Sequence, residues 1–153
     1  MLSPDGEEPS FPPGTPVRTA RDAHEGQGPL AGLVAGLEVV VRDRALVAGG
    51  DMPDLSSAVL REMLAVADDA AVDAVALSDG GRARPLPCVV TVATARSNAE
   101  ALLRTGERSL RALLDSMRVA VIDEATWHRL DPTRRTLRDV DVPADLLDPE
   151  DAR

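Results

Sequence analysis

Lysine and tyrosine are absent from this 153-residue chain, which carries one cysteine, Cys88, and two large aromatic side chains, Phe11 and Trp127. A single cysteine excludes an intrachain disulfide and any cysteine-based metal cluster, and it fits a reducing cytoplasm. With aromatics at 1% of residues, a core must be built from Leu, Val, Ala and Met. The two histidines, His24 and His128, stand far apart with no acid in helical register, so they do not make a zinc site. No apolar run approaches the ~20 residues of a membrane span. Residues 1–10 have neither the basic patch nor the apolar stretch of a secretory signal, and a cytoplasmic location is expected.

What is present points to a folded domain. Apolar residues make up 44%, and a chain of this size buries roughly 70% of the surface its unfolded form exposes. The formal net charge of −9 opposes non-specific binding to nucleic acid or to an anionic membrane. It does not exclude an anionic small substrate, because local arginines and a metal reverse the field inside one cleft.

Residues 1–17 contain five prolines and read as an extended or disordered lead. Residues 18–147 read as the domain, and 148–153 as a tail. Pro29 opens a helix to about Val41, with Leu30, Leu33, Val34, Leu37 and Val41 on one stripe. The small residues Ala31, Gly32, Ala35 and Gly36 form a second face for close packing. Residues 45–49 read as a buried parallel strand, because the run is apolar without alternation and glycines close it. A helix from Leu55 to Ala67 follows, capped by Asp54, with Leu55, Val59, Leu60, Met63 and Leu64 as its core face. Residues 73–77 are a strand and Ser78-Asp79-Gly80-Gly81 a turn. Residues 84–92 are a strand that Pro85 and Pro87 place at an edge. Helices over 94–104 and 109–117 are separated by Gly106. A strand follows at 119–122, another at 136–140, and a last helical turn at 143–147. This alternation predicts an α/β fold with a mostly parallel sheet and helices on its faces.

Asp51 stands where the first strand ends, after Gly49-Gly50 and before Met52-Pro53. A carboxylate there lies at the carboxyl edge of an α/β sheet, where such folds place ligands. Mg²⁺ takes oxygen ligands, often one or two carboxylates plus substrate phosphates. The alternative, an N-cap of the next helix, falls more naturally to Asp54. Gly28 and Pro29 open a helix whose free N–H groups suit an anion, or they are an ordinary helix start. Asp22 lies in the loop before them, as a ligand contact or a solvated acid. His24 and His128 read as surface or packing residues. Arg82, Arg84 and Arg108 are either phosphate partners or solubilising charges. Cys88 reads as a buried strand residue. No Ser–His–Asp order, zinc-protease motif or complete P-loop occurs.

From Asp22 to Leu146 the chain resembles the molybdenum cofactor guanylyltransferase family, within the wider nucleotidyltransferase (GT-A-like) fold. Asp22 through Gly32 is similar to that family's Asp–loop–Gly-Pro-Leu-Ala-Gly motif, and Leu46 through Pro53 to its strand ending in Asp-Met-Pro. Residues 81–86 resemble its x-Pro-Leu segment, and Gly106-Glu107-Arg108 its Gly-x-Arg turn. Residues 138–146 resemble its C-terminal Asn-x-Asn-Thr-Pro-Glu-Asp-Leu box. The resemblance implies transfer of GMP from GTP to molybdopterin, with Mg²⁺ as cofactor. Asp51 would hold the metal and be the catalytic residue. Asp22, Gly28, Pro29 and Asp51 would contact the nucleotide, and Arg84, Arg108, Asp139 and Asp141 the substrate.

Two departures stand out. The family's opening loop, L-A-G-G-x-S-x-R-M-G followed by Lys, is not found, so one or two βαβ units of roughly 30 residues each are expected to be missing and activity impaired. The family's C-terminal amides are here Asp139 and Asp141, two carboxylates that would repel a pterin phosphate unless a metal or Arg138 intervened. The rival readings are a non-catalytic remnant that binds a partner protein of the cofactor pathway or an oligomeric mate, and a related transferase using another nucleotide or acceptor. Without the first strand, an open sheet edge and a loosely packed chain are expected unless a partner covers it.

Overall fold

A computed structural model describes residues 11–12, 14–20 and 28–140. Asp22, His24, Asp141 and the helical turn expected at 143–147 lie outside these. The elements are α1 (Gly28–Glu38), β1 (Arg44–Val47), α2 (Ser57–Asp69), β2 (Ala74–Asp79), β3 (Arg82–Thr91), α3 (Val92–Arg104), α4 (Leu110–Asp115), β4 (Val119–Ile122), α5 (Glu124–Leu130) and a 3-10 turn at Arg135–Leu137. The class is α/β, as expected. No helix among the described residues is long and apolar enough to cross a membrane.

The strands form one sheet in the order β1-β3-β2-β4. Backbone hydrogen bonds fix their directions. Asp73 N and Ala74 N both donate to Arg118 O, so β2 and β4 start together and run parallel. Thr91 N donates to Asp73 O and Val92 N to Asp43 O, so β3 ends where β1 and β2 begin. The sheet is therefore mixed: three parallel strands with β3 reversed among them. The cause is local. Gly80 (φ +57°) and Gly81 (φ +74°) make a two-residue hairpin of the left-handed kind that matches strand twist.

Pro85 and Pro87 thus lie in a central strand and not at an edge. The strand β3 has ten residues and its neighbour β1 only four. The two strands meet at Asp43 and Val92, so β1 covers the end of β3 and stops short of the prolines. The open edges belong to β1 and β4, both four residues long, a length that limits templating of other chains.

The chain divides into two compact units. The first comprises residues 1–45, 72–74 and 90–119. Its core joins Leu30 of α1, Ala99 of α3 and Leu113 of α4, flanked by Leu33, Val34, Leu102, Leu103, Leu110 and Met117. Helix α1 ends at Glu38, three residues earlier than its apolar stripe suggested, and Val41 is 77% exposed. The β-branched run Val39-Val40-Val41 disfavours further helix. Gly106 (φ +89°) separates α3 from α4, as expected. Ser109 caps α4, accepting from Arg111 N and Ala112 N. Glu107 accepts from Arg108 N at 2.7 Å and Ser109 N at 2.8 Å.

The second unit comprises residues 46–71, 75–89 and 120–153. Helix α2 starts at Ser57, not Leu55, and buries Val59, Met63 and Ala67, while Leu64 is exposed. Asp54 does not cap it. The N-cap is Ser56, whose side chain makes no cap bond. Asp54 instead accepts from Arg138 Nη1 at 2.7 Å and Arg135 Nε at 3.2 Å. Helix α5 has no counterpart in the sequence reading. It is capped by Asp123, which accepts from Thr126 N, and it buries Trp127, whose Nε1 donates to Ser78 O at 2.8 Å. Residues 136–140 are not a strand. They follow a turn closed on Asp131, a carboxylate only 6% exposed. It accepts from Thr133 Oγ1, Thr136 N and Thr136 Oγ1. Burial alone would raise this carboxyl; the side-chain bonds from the two threonines and their backbone N–H groups outweigh it and hold it below the ordinary range.

Two predictions follow from these clamps. In the first unit, Arg118 holds Asp73 through its side chain (2.9 Å) and its backbone N–H (3.1 Å), lowering the Asp73 carboxyl. A lowered folded value means that the stability is present above the unfolded value of about 3.9 and lost as pH falls through the folded one. Asp73→Asn is expected to lower Tm at pH 7, with the gap to wild type closing in melts near pH 3. In the second unit, Asp131→Ala leaves buried threonine donors unmet and should cost about 1–3 kcal/mol, read by urea unfolding followed through Trp127 fluorescence.

Candidate functional site

The carboxyl ends of β1, β2 and β4 lie at one edge of the sheet, and the reversal of β3 brings its first residues to the same edge. Asp51, Asp79, Arg84 and Asp123 all belong to these ends. Asp51 occupies the turn after β1. Met52 N donates to Gly49 O at 3.4 Å, Met52 is buried, and Asp51 is exposed. Met52 anchors the turn while Asp51 meets solvent. The Asp51 carboxylate lies back over Gly49, where an added Cβ would collide with Asp51 Oδ1. Glycine is thus required at position 49 for this pose.

The strap closed by Asp131 reaches this turn. Val140 N donates to Asp51 O at 2.8 Å. One residue earlier, Asp139 Oδ2 accepts from Arg84 Nη2 at 3.2 Å, with Asp79 Oδ2 3.8 Å from Arg84 Nη1. The structure therefore brings together three of the sequence candidates: Asp51, Arg84 and Asp139. Arg138, expected to offset Asp139, instead binds Asp54; Arg84 is the counter-ion of Asp139.

The acids of this edge differ in one respect. Asp54 is held by Arg135 and Arg138, Asp79 and Asp139 by Arg84, and Asp123 by Thr126. Glu124 accepts from Gly81 N at 3.2 Å. Among the described residues, no side chain donates to the Asp51 carboxylate. It is an exposed anionic oxygen pair with open lone pairs, which suits a hard divalent ion. No group of three or more His, Cys, Asp or Glu able to hold a metal occurs among the described residues. A cation at Asp51 would need its other ligands from water or substrate oxygen, the usual habit of Mg²⁺.

The first unit holds Gly28, Pro29 and Arg108, and the second also holds Arg82, His128 and Cys88. Gly28 opens α1 with φ +76°, and an added Cβ would stand 3.2 Å from Arg108 Cβ, so only glycine fits comfortably. Pro29 beside it is exposed. Gly28 and Arg108 are thus neighbours. The Arg108 guanidinium turns toward the end of α3, donating to Leu103 O at 3.3 Å, where the helix dipole favours a cation. Arg82 is exposed, and His128 packs edge-on to Trp127 at 4.0 Å between ring centroids. Cys88 is buried, and burial pushes its thiol up to about 12, so it is no nucleophile.

Sequence reasoning missed Asp54 and Asp79 as arginine partners and Asp131 as the lock of the strap. The Gly80-Gly81 pair was a usable signal: a two-residue hairpin forces β3 to run backwards and carries Arg84 to the ligand edge. Asp123-x-x-Thr126 was a readable helix start.

The MobA-like NTP transferase domain family matches residues 2–121. A probable molybdenum cofactor guanylyltransferase from Chloroflexus aggregans is 30% identical over 140 residues, covering 88% of this chain and 64% of that protein. The chain thus spans less than two thirds of the length of this curated relative. In fold it is similar to molybdopterin-guanine dinucleotide biosynthesis protein A from Archaeoglobus fulgidus (TM-score 0.70, 23% identity, covering 82% of this chain and 62% of that one). It is also similar to a putative protein from Aquifex aeolicus (TM-score 0.61, 17% identity, covering 80% and 61%). With most of its length inside the family match and a curated relative at this identity, the chain belongs to the MobA-like NTP transferase domain family.

Proposed function

We propose that this chain serves a Mg²⁺-dependent guanylyltransferase reaction of molybdenum cofactor biosynthesis, moving GMP from GTP to molybdopterin. A phosphate oxygen of the pterin attacks the α-phosphorus of GTP. One P–O bond forms, the bond from the α-phosphorus to the bridging oxygen breaks, and pyrophosphate leaves with that oxygen. Little covalent work falls to the protein; positioning and charge stabilisation suffice.

The observation that supports this reading is the unengaged carboxylate of Asp51 at the ligand edge, among acids that all have partners. Asp51 is the residue that would hold Mg²⁺, and the ion would supply charge neutralisation on the triphosphate. Asp22, Gly28 and Pro29 are assigned to the nucleotide; for Gly28 and Pro29 the support is an exposed helix start that favours negative charge. Arg84, Arg108, Asp139 and Asp141 are assigned to substrate contacts. Arginine suits phosphate because its planar fork reaches two oxygens. A cytoplasmic site of action is in keeping with a single buried thiol.

Asp51→Asn removes the anionic oxygen while keeping the side chain's shape. Guanylyl transfer, followed with labelled GTP and molybdopterin, should fall by about a hundredfold or more. Unchanged transfer by this variant would remove the metal from Asp51.

A further inference from the structure

Arg84 is an unusual arginine in this molecule. Its Nε is enclosed by protein and has no hydrogen-bond acceptor among the described residues, although the side chain as a whole is 35% exposed. Its outer nitrogens face two carboxylates, neither in fork-to-fork geometry. Asp139 contributes one oxygen at 3.2 Å to Nη2, and Asp79 one oxygen at 3.8 Å from Nη1. A bidentate carboxylate would have given two short parallel bonds. The three side chains are 35%, 43% and 52% exposed for Arg84, Asp139 and Asp79, so water screens both attractions.

We propose that Asp139 is an intramolecular anion standing on a phosphate receptor, Arg84, and that a phosphate or pyrophosphate oxyanion displaces it. This rests on the reading of Arg84 as a substrate contact and adds what gates it. A phosphate presents up to three oxygens and more charge than one carboxylate, so it can use the Arg84 fork more fully than Asp139 does. Displacement is geometrically cheap for the fold. Asp139 is flanked by residues fixed independently of it: Arg138 on Asp54, and Val140 through its backbone N–H on Asp51 O. The Asp139 side chain can swing away without loosening the strap. Asp79, more distant, hinders the same arginine less.

The test is isothermal calorimetry of the chain with inorganic pyrophosphate, in EDTA and at low ionic strength, where such attractions are least screened. Wild type should bind weakly and Asp139→Asn about fivefold more tightly, the scale of a freed exposed ion pair. Asp79→Asn should give a smaller gain, and Asp115→Asn, the same charge change at an exposed residue of α4, none. Arg84→Gln should lose binding in the wild-type and Asp139→Asn backgrounds alike. The proposal is overturned if Asp139→Asn binds no more tightly than Asp115→Asn, if the gain survives Arg84→Gln, or if no variant binds pyrophosphate. With metal chelated, Asp51 has no metal-binding role in this experiment. A failure here leaves the metal reading of Asp51 standing, and unchanged transfer by Asp51→Asn leaves Arg84 standing as a pyrophosphate receptor.

Discussion

Asp54 holds the second unit's ligand edge in place. One carboxylate oxygen receives Arg138 Nη1 at 2.7 Å and Arg135 Nε at 3.2 Å, from residues more than 80 positions along the chain. Isolated exposed pairs of this kind contribute little, about 0–1 kcal/mol. Here the acid is three-quarters buried, and the two arginines sit on a turn that the buried Asp131 has already closed through Thr133 and Thr136. Ser56 N adds a bond to Thr136 Oγ1 at 3.2 Å. The turn fixes the backbone that carries both arginines, so the ion pairs need order only the side chains. The product is a strap whose end reaches Asp51 by backbone and Arg84 by side chain.

The reversed strand explains why a cation is available at that edge at all. In a wholly parallel sheet, the first residues of each strand lie at the amino edge, away from the ligand side. The Gly80-Gly81 hairpin returns β3 antiparallel, so Arg84, near its start, shares the edge with Asp51 and Asp79. An acidic chain without lysine has to place its arginines with care. Arg135 and Arg138 are committed to Asp54, and Arg84 to Asp139 and Asp79. Among the described residues no guanidinium engages Asp51, which leaves it open to the divalent cation proposed for it.

Much of this was legible in the sequence where signals were local. The apolar run of β4, the break at Gly106, the buried Cys88 and the position of Asp51 just after a strand all follow from periodicity and turn chemistry, and they match the structure; the burial expected of that strand does not, because β1 is an edge strand, half-buried with Leu46 exposed. What failed depended on distant partners. Asp54 looked like a cap because it precedes a helix, yet two arginines from the far end of the chain take it. Pro85 and Pro87 looked like edge markers because proline lacks a donor, but the sheet order, set by pairings distant in sequence, puts β3 between β1 and β2. Thr136–Val140 looked like a strand from its composition; the closed turn at Asp131 and the ion pairs of Arg135 and Arg138 decide otherwise. Helix α5 was overlooked because seven residues carry too little periodicity.

The acid at position 139 shows how a chain can carry a change that local charge reasoning would reject. A carboxylate close to a phosphate site is repulsive if bare. At this edge it is not bare, because Arg84 lies against it and against Asp79, and one guanidinium offsets the two carboxylates in part. The expected counter-ion, Arg138, is instead engaged with Asp54, where with Arg135 it helps to hold the strap that carries Asp139. Dividing the work between two arginines, one structural and one exposed, keeps the scaffold fixed while the exposed pair stays free to open.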